Sequence, residues 1–260
     1  MPLQPWWFGR RLRKHNPLAA AGSYALYYGF PGDDALARLS AYDLAMIEPH
    51  SYSAGQIAAL KQAGTLTVGY ISIMETPSWN VRRTERLIEA DYMLQGGGRH
   101  HFPEWDSYLM DLTCSHYRLL LLEEIEDQIA AKGLDGILLD TVGDIEDFVA
   151  AGSRKPQLAA YVELLRELKR RYPALALVQN RGFAAAELAA RWLDGFLWED
   201  WNGSWRSSGW MRLRVKQAKR WRRSGIRIFT LSRSSDGLHA AESVRLGFVH
   251  HARPNGYNEW

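Results

Sequence analysis

Two stretches of the chain repeat one arrangement. Leu134-Asp135-Gly136-Ile137-Leu138-Leu139-Asp140 and Leu193-Asp194-Gly195-Phe196-Leu197-Trp198-Glu199 both open on Leu-Asp-Gly, pass through three apolar residues and close on an acid. Such short apolar runs read as buried strands. The matched offset therefore sets Asp140 and Glu199 at one height, at the ends of two strands. Two carboxyls facing one cleft have a definite chemical use: one protonates a glycosidic oxygen while the other attacks or stabilises the anomeric carbon. The bland alternative, that each acid caps the loop after its strand, suits an isolated acid better than a matched pair. Glu48, Glu75 and Asp144 follow strands on the same expected face and add negative charge there. Asn180 closes Leu177-Val178-Gln179-Asn180, where an amide can hold a sugar hydroxyl or tie down a loop.

Aromatic residues gather around these acids. Trp198, Trp201 and Trp205 surround Glu199, Trp79 and Trp105 lie in the connection after Glu75, and Tyr28 and Tyr70 belong to the first and third strands. Indole and phenol rings stack on sugar C–H faces and carry a polar edge besides, so a sugar groove is one use for them. The other is core packing. The expected substrate-binding set is Glu48, Glu75, Tyr28, Tyr70, Asn180, Trp198 and Trp201.

The elements that must hold these side chains are legible as alternation. Apolar runs at 24–28, 42–47, 66–73, 136–139, 175–179, 195–198, 226–231 and 246–250 are separated by segments of helical period. Ser53 and Gln56 have capping-box spacing, Ile57 and Leu60 form an apolar stripe, and Gly64 stops the helix. Leu119, Leu122, Ile125 and Ile129 mark a longer helix over 115–132, and Pro156 is expected to open another that runs to Pro173. Strands alternating with helices predict a parallel sheet with crossover helices. Eight such units without a polar linker predict an α/β fold with a single (β/α)8 TIM-type barrel over 22–260, in preference to an open doubly wound sheet. A basic, aromatic segment over 1–21 precedes it. The connection from Met74 to Thr113 is a long insertion after strand three, with a short extra strand expected at 108–112.

Composition narrows the function classes. The 260 residues are 47% hydrophobic, 12% aromatic and 23% charged, which is globular rather than disordered. A net charge of +3 is too small to imply a polyanion partner. The one cysteine, Cys114, excludes an internal disulfide and a cysteine-based zinc site. The pairs His100-His101 and His250-His251 lack the i, i+4 spacing of a helical metal site, so neither a metal nor a cofactor is expected. Arg212, Arg214, Lys216, Lys219, Arg220, Arg222 and Arg223, interleaved with Trp210 and Trp221, read as the solvated face of a helix rather than a nucleic-acid site. No run approaches a membrane span. No apolar stretch of signal-peptide length follows Arg10, Arg11, Arg13 and Lys14, which points to the cytoplasm for the chain as written, or to export if a leader precedes it.

Taken in order, Tyr42-Asp43-Leu44, Gly69-Tyr70-Ile71-Ser72-Ile73 with Glu75, Asp135 to Asp140, Asn180 and Glu199 resemble the endo-α-1,4-polygalactosaminidase family, glycoside hydrolase family 114, over about residues 24–201. The resemblance implies a (β/α)-barrel enzyme that cleaves α-1,4-linked galactosamine exopolysaccharide, with the acids of strands four and six as the catalytic pair. That maps to Asp140 and Glu199, already selected by spacing. The family often carries Asp where Glu48 stands and Gly where Met74 stands, and its second acid after strand four comes sooner than Asp144. Relatives are commonly exported. The expected partner is an oligo- or polysaccharide, and the alternative to an enzyme is a barrel that binds sugar without cleaving it. Within a retaining reaction, Asp140 is expected to be the nucleophile, kept ionised by donors of the Thr141 turn. Glu199 is expected to be the general acid, its proton held by apolar indoles.

Overall fold

In the computed structural model, residues 16–260 are described; most of the basic, aromatic segment that opens the chain therefore lies outside the described residues. Eight strands, β1 (Tyr24–Tyr27), β2 (Leu44–Ile47), β3 (Leu66–Ser72), β4 (Gly136–Asp140), β5 (Ala176–Asn180), β6 (Gly195–Trp198), β7 (Arg227–Ser232) and β8 (Val249–Ala252), pair in parallel and in chain order. Helices α1 (Asp33–Leu39), α2 (Ala54–Gln62), α3 (Ser115–Ile125), α4 (Ala151–Arg171), α5 (Phe183–Ala189), α6 (Gly209–Arg223) and α7 (Gly237–Arg245) lie between them. The sheet curls until β1 meets β8. No ladder joins those two strands; the Tyr24 hydroxyl crosses the seam to the Thr230 carbonyl, and its ring packs on Phe229 and His251. The fold is the (β/α)8 barrel that the alternation predicts.

Strand period decides what faces the barrel axis. Tyr24, Leu26, Leu44, Met46, Val68, Leu138, Ala176, Val178, Leu197, Phe229, Leu231 and Val249 form one buried cluster. These residues alternate along their strands, and the same alternation carried upward reaches Tyr28, Glu48, Tyr70, Asp140, Asn180 and Glu199. The upper polar layer of the barrel is thus set by strand parity. Leu18 and Ala21, assigned above to the segment before the barrel, join the interior cluster from below. Asn16 ties that plug down, donating to the carbonyls of Asp194 and Gly225.

The foot of the barrel explains the Leu-Asp-Gly openings. Asp135 accepts from the backbone N–H and hydroxyl of Thr67 on β3, and Asp194 accepts from the backbone N–H of Leu177 on β5 and from Lys169. Asp43 does the same below β1, accepting from Gly22 and Ser23. Each aspartate closes off the first N–H groups of the neighbouring strand. The glycine that follows has a steric cause: a Cβ on Gly136 would stand 2.7 Å from the Ala176 carbonyl oxygen, and one on Gly195 3.0 Å from Val178.

Elsewhere boundaries move. The last strand starts at Val249, not Leu246, because Leu246 caps α7 and Gly247 turns away at φ +75°. α4 begins at Ala151, ahead of Pro156, which the helix carries inside it. The capped helix at Ser53 forms with both capping-box bonds. Between β3 and α3, the segments Glu75–Pro77, Ser107–Leu109 and His101–Phe102 form a small antiparallel sheet, with Ser107–Leu109 standing where a strand at 108–112 is expected. A hairpin of Leu94–Gln95 and Gly98–Arg99 turns through Gly96 and Gly97, both at positive φ.

Candidate active site

A cleft of about 660 Å³ opens at the C-terminal ends of the strands. Its floor is the polar layer that strand parity brings up: Tyr28, Glu48, Tyr70, Asp140, Asn180 and Glu199 all line it. The three consecutive strands β4, β5 and β6 deliver Asp140, Asn180 and Glu199. In each, the very next residue, Thr141, Arg181 or Asp200, is left-handed, with φ of 60°, 50° and 53°. A non-glycine residue costs roughly 1–2 kcal/mol in that conformation. On three neighbouring strands, such a residue marks where the chain leaves the sheet, directly after the side chain that lines the cleft.

Asn180 stands between the two acids. Its Nδ2 donates to Asp140 Oδ1 at 2.6 Å. Tyr257, on the segment after β8, donates from its hydroxyl to Glu199 Oε1 at 3.2 Å. Both carboxyls open to the cleft while protein packs around the rest, and the resulting loss of water raises both pKa values. For Glu199 that desolvation, then the charge of Asp140, carries the pKa up to about 7; Asp200 pushes the same way, and Asn180 and Tyr257 oppose it. Asp140 is raised by desolvation too, opposed by the Thr141 backbone N–H, the Asn180 amide and the Tyr70 hydroxyl. Glu199 therefore holds a proton to much higher pH than an ordinary carboxyl does.

A second group of acids lies beside the first. Glu75 accepts from the Ser107 hydroxyl, and its pKa is raised, chiefly by burial. Asp144 lines the cleft next to it and is pushed up to about 9 by burial and by the charge of Glu75. Glu48 is held from one side, accepting from the backbone N–H of His50 and facing its Nδ1 at 2.7 Å. Asp147, Asp200 and Glu104 complete the acidic lining; the cations in it are Arg181 and Arg233, which face Asp147 at 3.6 Å and Asp200 at 3.8 Å. The cleft carries a strong negative field.

The aromatic expectations divide. Trp79 and Trp105 line the cleft and are each about half exposed. Trp198 and Trp201 do not line it, which corrects their expected place in the groove. Trp198 follows Leu197 and precedes Glu199, so parity turns it outward, where it packs on Phe183 and Trp201. Trp201 is buried and donates from Nε1 to the His239 carbonyl. Desolvation of Glu199 thus comes from the packed rim rather than from these indoles. Trp205 bonds Glu242 away from the cleft.

Among the described residues, no cluster of His, Cys, Asp or Glu is suited to a metal, and no helix is long and apolar enough to cross a membrane. His250 and His251 are both held near pKa 4 by burial and stay neutral. The basic stretch forms α6, which turns Val215, Ala218 and Trp221 to the core and its charges outward, Arg220 pairing with Glu187.

Sequence reasoning missed Arg233, Tyr257 and Asn258, which wall the cleft from the seam side. Tyr28 N–H donates to the Tyr257 carbonyl and Trp260 stacks on Tyr27, so the segment after β8 is fastened over β1. No periodicity announces these contacts. Thr141 was noticed only as a donor; its hydroxyl oxygen also accepts the N–H groups of Ile73 and Met74, bracing the end of β3.

A model of Glycoside-hydrolase family GH114 matches residues 14–229. Among solved structures, the chain resembles the glycoside hydrolase domain of PelA from Pseudomonas aeruginosa with a TM-score of 0.71 at 21% identity, over 90% of this chain and 94% of that one. It also resembles Aspergillus fumigatus Ega3, solved in complex with galactosamine, with a TM-score of 0.73 at 13% identity, over 96% and 97% of the two chains. An α-galactosidase from Thermus thermophilus is more distant, with a TM-score of 0.58 at 13% identity over 92% of this chain and 60% of that one. A search among curated proteins finds no match. The family match stops short of Arg233, Tyr257 and Asn258.

Proposed function

This chain belongs to glycoside hydrolase family 114, and from that premise we propose that it cleaves α-1,4-linked galactosamine polymers internally, with retention of configuration. Asp140 attacks the anomeric carbon while Glu199 protonates the departing glycosidic oxygen. Glu199, now ionised, then takes a proton from water, whose oxygen displaces Asp140 from the sugar. The observation that carries this reading is the placement of the two acids: Asp140 and Glu199 line one cleft, on either side of Asn180, whose amide donates to Asp140. Strands β4 and β6 are second neighbours in the sheet, roughly 10 Å apart at the backbone, so inward side chains at their ends can approach to the shorter of the two glycosidase spacings. Retaining enzymes hold their carboxyls about 5–5.5 Å apart, and inverting ones leave about 6.5–9.5 Å for a water.

Role assignment follows the donors. Asp140 accepts from the Asn180 amide, which favours its anion, whereas Glu199 has a pKa of about 7 and can carry the proton the leaving group needs. A substrate of free amines suits the acidic lining, where Glu48 and Glu75 offer charge and Trp79 and Trp105 offer ring faces. Reducing-end release from deacetylated and acetylated galactosamine polymers, in wild type and Asp140→Asn, tests the proposal. Release from the deacetylated polymer that disappears in Asp140→Asn supports it. Binding without release would identify a sugar-binding barrel instead.

A further inference from the structure

Glu75 and Asp144 come from the ends of different strands yet meet at one side of the cleft. Glu75 is 8% exposed and Asp144 9%. Ser107 donates to Glu75 Oε2, but Asp144 Oδ2 is buried with no donor at all. The polar group that Asp144 does meet is the Glu75 carboxyl, within hydrogen-bonding reach. Two carboxylates cannot bond one another; a carboxylic acid and a carboxylate can. The surrounding charges offer little compensation. Asp140 and Asp147 repel Asp144, Asp140 repels Glu75, and the cationic form of His100 would help Glu75 only. A nearly buried acid pair that the protein leaves without a cation, on the wall of an open cleft, is neutralised either by a proton or by a cation brought from outside.

We propose that Glu75 and Asp144 form a second carboxyl pair that shares one proton in the empty cleft and gives it up to receive the ammonium group of an amino sugar. This deepens the galactosamine reading and rests on it. With the ammonium in place both carboxylates are ionised, and the displaced proton passes to solvent; no covalent bond changes. The charge of Asp140 acts on both members, so the subsite adjoins the sugar being cleaved. An acetamide brings no charge with which to displace the proton. The pair therefore distinguishes the free amine from its acetylated form at one position of the polymer. The high pKa of Asp144, about 9, agrees with a proton held firmly until ligand arrives.

Proton release is directly measurable. An α-1,4-galactosamine oligomer is titrated calorimetrically at pH 6, where its amines are charged, into the Asp140→Asn protein in two buffers of different ionisation heat. The slope of heat against ionisation enthalpy counts protons. About one proton should leave per oligomer bound, falling towards zero when Asp144→Asn or Glu75→Gln is added, and the N-acetylated oligomer should release none. Because either variant could be harmed in folding, infrared difference spectra of the unaltered pair provide the second reading: the protonated-carboxyl band should be lost on binding. Release that survives both substitutions, or binding with neither release nor band loss, would overturn the subsite. An oligomer that is neither bound nor cleaved would instead remove the galactosamine reading itself.

Discussion

Strands β4 and β6 each carry an acid at both ends, and the two ends use it in opposite ways. At the foot, donors saturate the carboxylates: Asp135 takes Thr67 and pairs with Lys61, and Asp194 takes Leu177 and Lys169. At the head, Asp140 accepts from the Asn180 amide and Glu199 from the Tyr257 hydroxyl, and the nearest guanidiniums face other acids. Residue type is the same at both ends; the supply of donors differs. A carboxylate with its partners built in stabilises the barrel, and one kept short of them retains a movable proton. The foot of such a barrel serves stability and the mouth serves chemistry.

Substitutions can break this contrast. The largest effect is expected at Asp140→Asn, which should reduce polymer cleavage by about 10⁴-fold or more through loss of the nucleophile. Its unfolding midpoint should hold or rise, since a desolvated charge is removed; a midpoint that falls as far as in foot variants would erase the distinction. Next comes Asp194→Ala, which leaves the Leu177 N–H without its acceptor and takes the carboxylate from a nearly buried Lys169. Denaturant unfolding should show a loss of about 3–5 kcal/mol, with turnover per folded molecule unchanged.

Glu199→Gln should lower polymer cleavage by about 10²–10⁴-fold and spare an aryl glycoside whose leaving group needs little acid assistance. Wild-type cleavage should fall as pH rises past about 7, because Glu199 loses the proton it must donate; a flat profile through pH 8 would contradict its role. The smallest effect belongs to Asp200→Gly. Glycine accepts the left-handed turn, for a gain of about 0.5–1 kcal/mol. Removing the charge beside Glu199 should also move the basic limb of the pH profile to lower pH. A shift upward would show that Asp200 acts otherwise than through its charge.

The shared placement of Asp140 and Glu199 at the barrel mouth was legible because strand parity is a local property. Leu138 to Asp140 and Leu197 to Glu199 are two-residue steps, and inward cores continue into inward acids. Trp198 was misplaced when aromatic chemistry was weighed above that parity: it stands between two inward residues and must face out. Asp144 could be seen as an acid after a strand, but its meeting with Glu75 depends on the shape of the segment between β3 and α3. Tyr257 bonds an acid 58 positions away from a segment that is neither strand nor helix. Such contacts arise where the sheet curls shut, and no window of sequence contains both sides.

That closure gives the molecule the mechanics of a split ring. Every other strand boundary is a hydrogen-bonded ladder, while β1 and β8 meet through side chains and, at the rim, through Tyr28 N–H on the Tyr257 carbonyl. Hydrogen exchange is expected to show amides along the split opening locally, ahead of those in the seven ladders. The residue fastening the rim is the one whose hydroxyl reaches Glu199. One residue therefore belongs both to the clasp that holds the split closed and to the surroundings of the acid at the cleft floor.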